Sequence, residues 1–155
     1  LSRISIKGLE TEVGLQYADK LLLKGNLSYE KAVDMMETKI SDGKPNAAYK
    51  QQIPNRPSLY ANINASYTFR NLLGADNKLR FEYDYQYVKW FYLTWSTFGH
   101  KDSKSIIPTQ NCHNLSATFF WLDNRYSVSL ECNNLFYKLQ KPGRALFCKF
   151  RMFFN

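Results

Sequence analysis

The chain has 155 residues, with 21 Lys plus Arg against 13 Asp plus Glu, a formal charge of +8. Hydrophobic residues make up 45% and aromatics 16%, which excludes a disordered composition, and the length suits one domain rather than two developed cores. No run approaches 18 consecutive apolar residues, which excludes a spanning helix but not spanning strands, whose alternating residues average to hydrophilic.

Alternation of period two runs along the chain. In a first strand Leu9, Val13, Leu15 and Tyr17 oppose Glu10, Glu12 and Gln16. Ile4 and Ile6 fall on the other parity, so a bulge near Gly8 is expected. A second strand sets Leu21, Leu23, Leu27, Tyr29 and Val33 against Lys24, Asn26, Ser28 and Glu30. Its continuation from Tyr29 to Ile40 also fits a short helix, the best helical alternative in the sequence. Next, Leu59, Ala61, Ile63, Ala65, Tyr67 and Phe69 oppose Asn62, Asn64, Ser66, Thr68 and Arg70. After the turn signal Gly74-Ala75-Asp76-Asn77, Leu79, Phe81, Tyr83, Tyr85 and Tyr87 oppose Arg80, Glu82, Asp84 and Gln86. Leu115, Ala117, Phe119 and Trp121 oppose Asn114, Ser116 and Thr118, with Phe120 out of step. Beyond Asp123-Asn124, Tyr126, Val128, Leu130 and Cys132 oppose Ser127, Ser129, Glu131 and Asn133. The last strand sets Leu146, Cys148, Phe150, Met152 and Phe154 against Lys149 and Arg151.

An all-β fold is therefore expected, an antiparallel up-and-down meander of about seven long strands. Several strands keep alternation for about ten residues, near the 9 to 11 of a tilted membrane-crossing strand and above the five or six usual in soluble sheets. Connectors are short at Asp19, Gly74 to Asn77 and Asp123-Asn124, and long from about Met36 to Arg56 and Thr97 to Ile107. That asymmetry is the habit of outer-membrane barrels, although the segment between Phe136 and Arg144 is short on the long side. Aromatics gather at strand ends, Trp90, Phe91, Tyr92 and Trp95 before a long loop and Phe119, Phe120 and Trp121 before a short turn, as two interfacial girdles would.

A soluble β-sandwich that binds a ligand or protein is the alternative, since an apolar strand face suits a core as well as lipid. Seven strands are odd and fewer than the smallest usual barrel holds, so the sheet is expected to belong to something larger. In lipid its open edges would leave backbone groups without partners.

Catalytic chemistry finds little footing. His113 points away from Asn114 and Ser116 by parity, so no base reaches the hydroxyl. Cys112, Cys132 and Cys148 lack paired ligand spacing, and neither a metal nor another cofactor is expected. Nucleic acid is not expected either, because the tyrosines lie on the apolar parity, away from the basic residues.

The run Arg125-Tyr126-Ser127-Val128-Ser129-Leu130-Glu131-Cys132-Asn133-Asn134-Leu135-Phe136, followed by Leu139-Gln140-Lys141-Pro142-Gly143-Arg144-Ala145 and an aromatic-rich strand, resembles the last hairpin of TonB-dependent outer-membrane receptors of the Bacteroidetes type. Ile53-Pro54-Asn55-Arg56-Pro57, Gly25-Asn26-Leu27-Ser28-Tyr29 and Ile107-Pro108-Thr109-Gln110 with His113-Asn114 resemble that family too. The likeness covers nearly the whole chain.

It implies that residues 1–155 are the C-terminal segment of a transmembrane barrel of about 22 strands. The plug, TonB box and signal peptide would lie elsewhere, in keeping with a start at Leu1 that has neither initiator Met nor secretory layout. The implied location is the bacterial outer membrane, with short turns in the periplasm and long loops outside. The implied function is part of the wall of a transporter for active uptake of a siderophore, another metal chelate or a glycan; the fragment alone would not transport. Implied partners are outer-membrane lipid, the remaining strands and plug of the same receptor, TonB through that plug, and the barrel assembly machinery. Phe150, Met152 and Phe154 would carry the assembly signal, although Asn155 stands where the family usually ends in an aromatic, and only Tyr137-Lys138 separate Phe136 from Leu139.

Arg80, Glu82, Asp84, Glu131, Lys149 and Arg151 are candidates to line the lumen and touch substrate or plug, with opposite charges pairing across strands. Lys31 and Lys89 break the apolar parity near the expected outer rim, where a lysine reaches toward anionic head groups. With the last hairpin centred near Gln140, Cys132 and Cys148 face each other and are placed for a disulfide.

Overall fold

A computed structural model describes residues 3–39, 42–46, 48–94, 106–136 and 145–152. The strands are β1 (Ile4–Tyr17), β2 (Leu21–Asp34), β3 (Leu59–Arg70), β4 (Lys78–Val88), β5 (Phe91–Tyr92), β6 (Ile106–Ile107), β7 (Gln110–Trp121), β8 (Tyr126–Asn133) and β9 (Ala145–Met152). Seven of them form one antiparallel meander in the order β1-β2-β3-β4-β7-β8-β9, and β5 pairs with β6 in a separate ribbon. No helix occurs among the described residues. The all-β meander of seven strands expected from alternation is the observed fold, and the helical alternative over Tyr29–Ile40 is not: β2 runs through to Asp34.

β1 and β2 have 14 residues each and β3 and β7 have 12, all longer than the roughly five or six of a typical soluble strand. Register joins like to like. On one face of β7, β8 and β9, Leu115 pairs with Cys132, Ala117 with Leu130, Phe119 with Val128 and Trp121 with Tyr126. Beyond them Val128 faces Phe150 and Tyr126 faces Met152. The other face pairs Thr118 with Ser129, Ser116 with Glu131 and Ser127 with Arg151. Period two thus carries one apolar side across three strands without a slip.

Gly8 sits where β1 runs close against β2: a Cβ on it would come within 2.8 Å of Tyr29 O. Nearby, Met35 N–H donates to Arg3 O (2.8 Å) and the Ser28 hydroxyl donates to Glu10 Oε1 (2.9 Å). One local expectation is corrected. In the last hairpin Cys148 faces Leu130 and Cys132 faces Leu146. The two thiols share a face but are diagonal neighbours at about 7–8 Å, beyond usual disulfide reach, and both are free.

Among the described residues few are fully buried. The chain exposes 11394 Å², where a folded monomer of this mass exposes about 8,100 Å². Among the described residues Ala32 is the one buried hydrophobic, and Leu130 is 53% and Ile63 47% exposed. The described residues hold no second large sheet facing the first, as a sandwich would need.

Contacts divide the chain into two compact units. One, Leu1–Thr11, Leu27–Ala61 and Tyr87–Gln110, contains the long loops; the other, Glu12–Asn26, Asn62–Gln86 and Asn111–Asn155, contains the short turns.

Candidate functional site

The short-turn unit carries the charged residues singled out from the sequence. Strand alternation puts Arg80, Glu82 and Asp84 of β4 on one side of their strand, and register puts Glu131, Lys149 and Arg151 on one side of β8 and β9. Arg80, Glu82, Glu131 and Arg151 converge with Ser116, Thr118, Phe120, Ser127 and Ser129 around a shallow depression of about 280 Å³.

Charges there are matched at short range. Lys149 Nζ donates to both oxygens of Glu131 at 2.6 and 2.9 Å. Arg80 lies 3.7 Å from Glu82, whose other oxygen accepts from the Ser116 hydroxyl at 3.5 Å. Asp84 stands apart from the depression and accepts from Asn64 Nδ2 at 2.6 Å. Thr118 and Ser129 share a hydroxyl hydrogen bond of 2.9 Å. Each exposed pair contributes about 0–1 kcal/mol, so the face is wet and electrostatically balanced rather than a strong structural clamp.

Phe120, which breaks the alternation, has a partner on this face: the Arg80 guanidinium lies 5.9 Å from its ring centre. A second depression of about 260 Å³ adjoins it, lined by Asp19, Thr68, Arg70, Lys78, Arg80, Phe120 and Asn124. The excess of cations there was not singled out from the sequence, because Arg70 and Lys78 flank a turn and end their strands' alternation.

The opposite side of the unit is aromatic beside each of two short turns. Tyr67 and Phe69 meet edge-on with centroids 4.7 Å apart, and Phe81 follows at 6.0 Å from Phe69. Trp121 stacks on Phe119 and Tyr126 at 5.7 and 5.6 Å and lies 6.3 Å from Phe150. Phe150 and Met152 are exposed on this side at 62% and 42%, while Phe154, the third residue of the expected assembly signal, lies outside the described residues. Trp95 and the segment Leu139 to Arg144 also lie outside them.

His113 has a setting that parity alone did not disclose. Its Nδ1 and the Tyr83 hydroxyl are 2.7 Å apart, the Tyr85 ring lies at 4.7 Å and Phe136 meets it edge-on at 4.9 Å. Asn134, left-handed at φ 55°, turns the chain so that Leu135 N–H donates to His113 O (2.8 Å) and Asn134 N–H donates to Asn114 Oδ1 (3.0 Å). The Asn-Asn-Leu-Phe sequence thus closes β8 against β7 and seats Phe136 on the histidine.

The short turns themselves are tightly made. Ala18 and Asp19 at φ 46° and 49° begin the three-residue turn between β1 and β2, in which Lys20 N–H donates to Tyr17 O (3.0 Å). Asn77, 6% exposed, accepts from Leu73 N–H (3.3 Å) and donates to Gly74 O (2.8 Å).

Neither the protein-family models nor the curated proteins contain a match to this sequence.

Proposed function

We propose that this chain forms part of the wall of an outer-membrane β-barrel, as C-terminal strands of a TonB-dependent receptor that imports an iron chelate or a glycan. The observation that carries the reading is a sheet with segregated faces and no protein over the apolar one among the described residues. A large apolar side chain left in water forgoes about 1.5–3 kcal/mol relative to burial. Hydrocarbon cover removes that deficit for Leu115, Val128, Leu130 and Phe150 together, and the aromatic clusters beside the short turns suit the edge of such a layer.

The charged face then borders water inside a barrel. Arg80, Glu82, Glu131, Lys149 and Arg151 would pack against a plug or meet passing substrate, and their mutual pairing keeps that wall hydrated without binding any one ion tightly. β1 and β9 end the strand order, and their outer backbone groups need further strands in a bilayer. Transport would then belong to the completed barrel and its plug.

Fractionation tests the reading. The chain is expected in the outer-membrane fraction, resistant to an alkaline carbonate wash and released only by detergent. Release into detergent-free buffer as a dispersed protein would contradict it and favour a soluble binding module.

A further inference from the structure

Cys132 and Cys148, separated in sequence, are brought to one face of β8 and β9 by the register of the last hairpin, in which Cys132 faces Leu146 and Cys148 faces Leu130. Both thiols are free. As diagonal neighbours their Cβ atoms lie somewhat closer than about 7–8 Å, still beyond the roughly 3.5–4.5 Å that a disulfide spans. A metal ion between the sulfurs changes that reach. Two metal–sulfur bonds in line separate the sulfurs by about 4.6 Å, in place of about 2 Å in a disulfide, and so carry the Cβ spacing to about 6–7 Å. The gap that is too long for one bond fits two. The surroundings then choose the ion. Neighbours on this face are Leu115, Leu130, Leu146 and Phe150, which offer no ligand atom. An ion seated here therefore meets two sulfur donors alone among the described residues. Thiolate is a soft donor, so magnesium and calcium are refused, and zinc would be left short of the four ligands of its usual structural sites. A soft ion that takes two ligands in line remains. An apolar setting favours a complex without net charge: two thiolates neutralise a divalent ion, but leave a monovalent one such as copper(I) carrying a negative charge. Cys112 is the natural control. Its Sγ donates to Asn114 Oδ1 at 3.8 Å, and its parity puts it on the charged side, away from the pair.

We infer that Cys132 and Cys148 form a two-coordinate site for a soft divalent ion, the mercuric ion in particular, which clamps β9 to β8 through a linear sulfur–metal–sulfur bridge. On binding, two S–H bonds break, two mercury–sulfur bonds form and two protons pass to water, with no change of oxidation state. The site goes beyond the reading of the chain as barrel wall, because it needs only the hairpin and its apolar face. The test uses the full chain in detergent with mercuric chloride as the probe. Bound metal is read by mass spectrometry of the intact complex while a monothiol competitor is titrated in. Wild type and C112S should each hold one ion per chain and need at least about tenfold more competitor to lose it than C132S or C148S does, since the second sulfur acts at high effective concentration. Loss at the same competitor concentration in all four proteins overturns the site. So does an ion held between two chains, or zinc retained as firmly as mercury, which would require further ligands. Should C132S fail to fold, C148S decides alone, its side chain being exposed: retention equal to wild type contradicts the bridge.

Discussion

In the short-turn unit Thr118 meets Ser129 and Lys149 reaches Glu131 because a register repeats every second residue across β7, β8 and β9. In the long-loop unit order comes from two side chains with no repeat behind them. Asp34 accepts from Met36 N–H (2.8 Å) and Asn46 Nδ2 (3.2 Å), and Asn46 in turn donates to Met36 O (2.9 Å) and accepts from Ala48 N–H (3.0 Å). Backbone bonds from Ile53 N–H to Ala32 O (2.8 Å) and from Asn46 N–H to Glu37 O (2.8 Å) fold the same connection back on itself. A repeating register spreads a perturbation along strands, whereas a polar knot confines it.

The largest expected effect comes from breaking the two-faced register. Leu130→Arg on the apolar face should cost about 2–4 kcal/mol in a bilayer, while Phe147→Arg on the charged face should cost less than about 1 kcal/mol. Denaturant midpoints of the vesicle-bound protein would show this, and equal shifts would mean that the faces do not differ in environment. Next is Asn77→Ala, which removes both side-chain bonds of a buried turn residue and should cost about 1–3 kcal/mol. Faster amide exchange at Leu73 would report it, with no change at Ala48.

Asn46→Ala sharpens the contrast from the other side. It should cost about 1 kcal/mol, with faster exchange at Ala48 and none at Asn64 or Ser66. Propagation into β3 would mean that the loop network and the strands are one cooperative body. Smallest is Ala18→Gly, which relieves a left-handed alanine at φ 46° and should raise stability by about 0.5–1 kcal/mol in the same denaturant assay.

The strands were legible in the sequence because one alternating residue pattern serves both the backbone pleat and the environment on either side. What escaped follows from what parity leaves undefined. Parity assigns Cys132 and Cys148 to one face but does not fix which pair is opposed, since a shift by two residues preserves the face; the observed register sets each against a leucine. Phe120 breaks the parity of its own strand, and its partner Arg80 lies on the neighbouring strand. His113 and Tyr83 belong to strands joined by a long connection, so their contact has no local signature. The bond set of Asp34 and Asn46 is aperiodic and invisible to any pattern of hydrophobicity. Lys31, Gln52 and Lys89 likewise line one cavity only because three separated segments meet there.

Site-directed nitroxides along β8 test the central claim most directly. In vesicle-bound protein whose three native cysteines are replaced, single labels at Val128 and Leu130 should collide with oxygen dissolved in lipid, and labels at Ser129 and Glu131 with a water-soluble nickel chelate, alternating residue by residue. Uniform access of the chelate to all four positions would contradict a hydrocarbon-covered face.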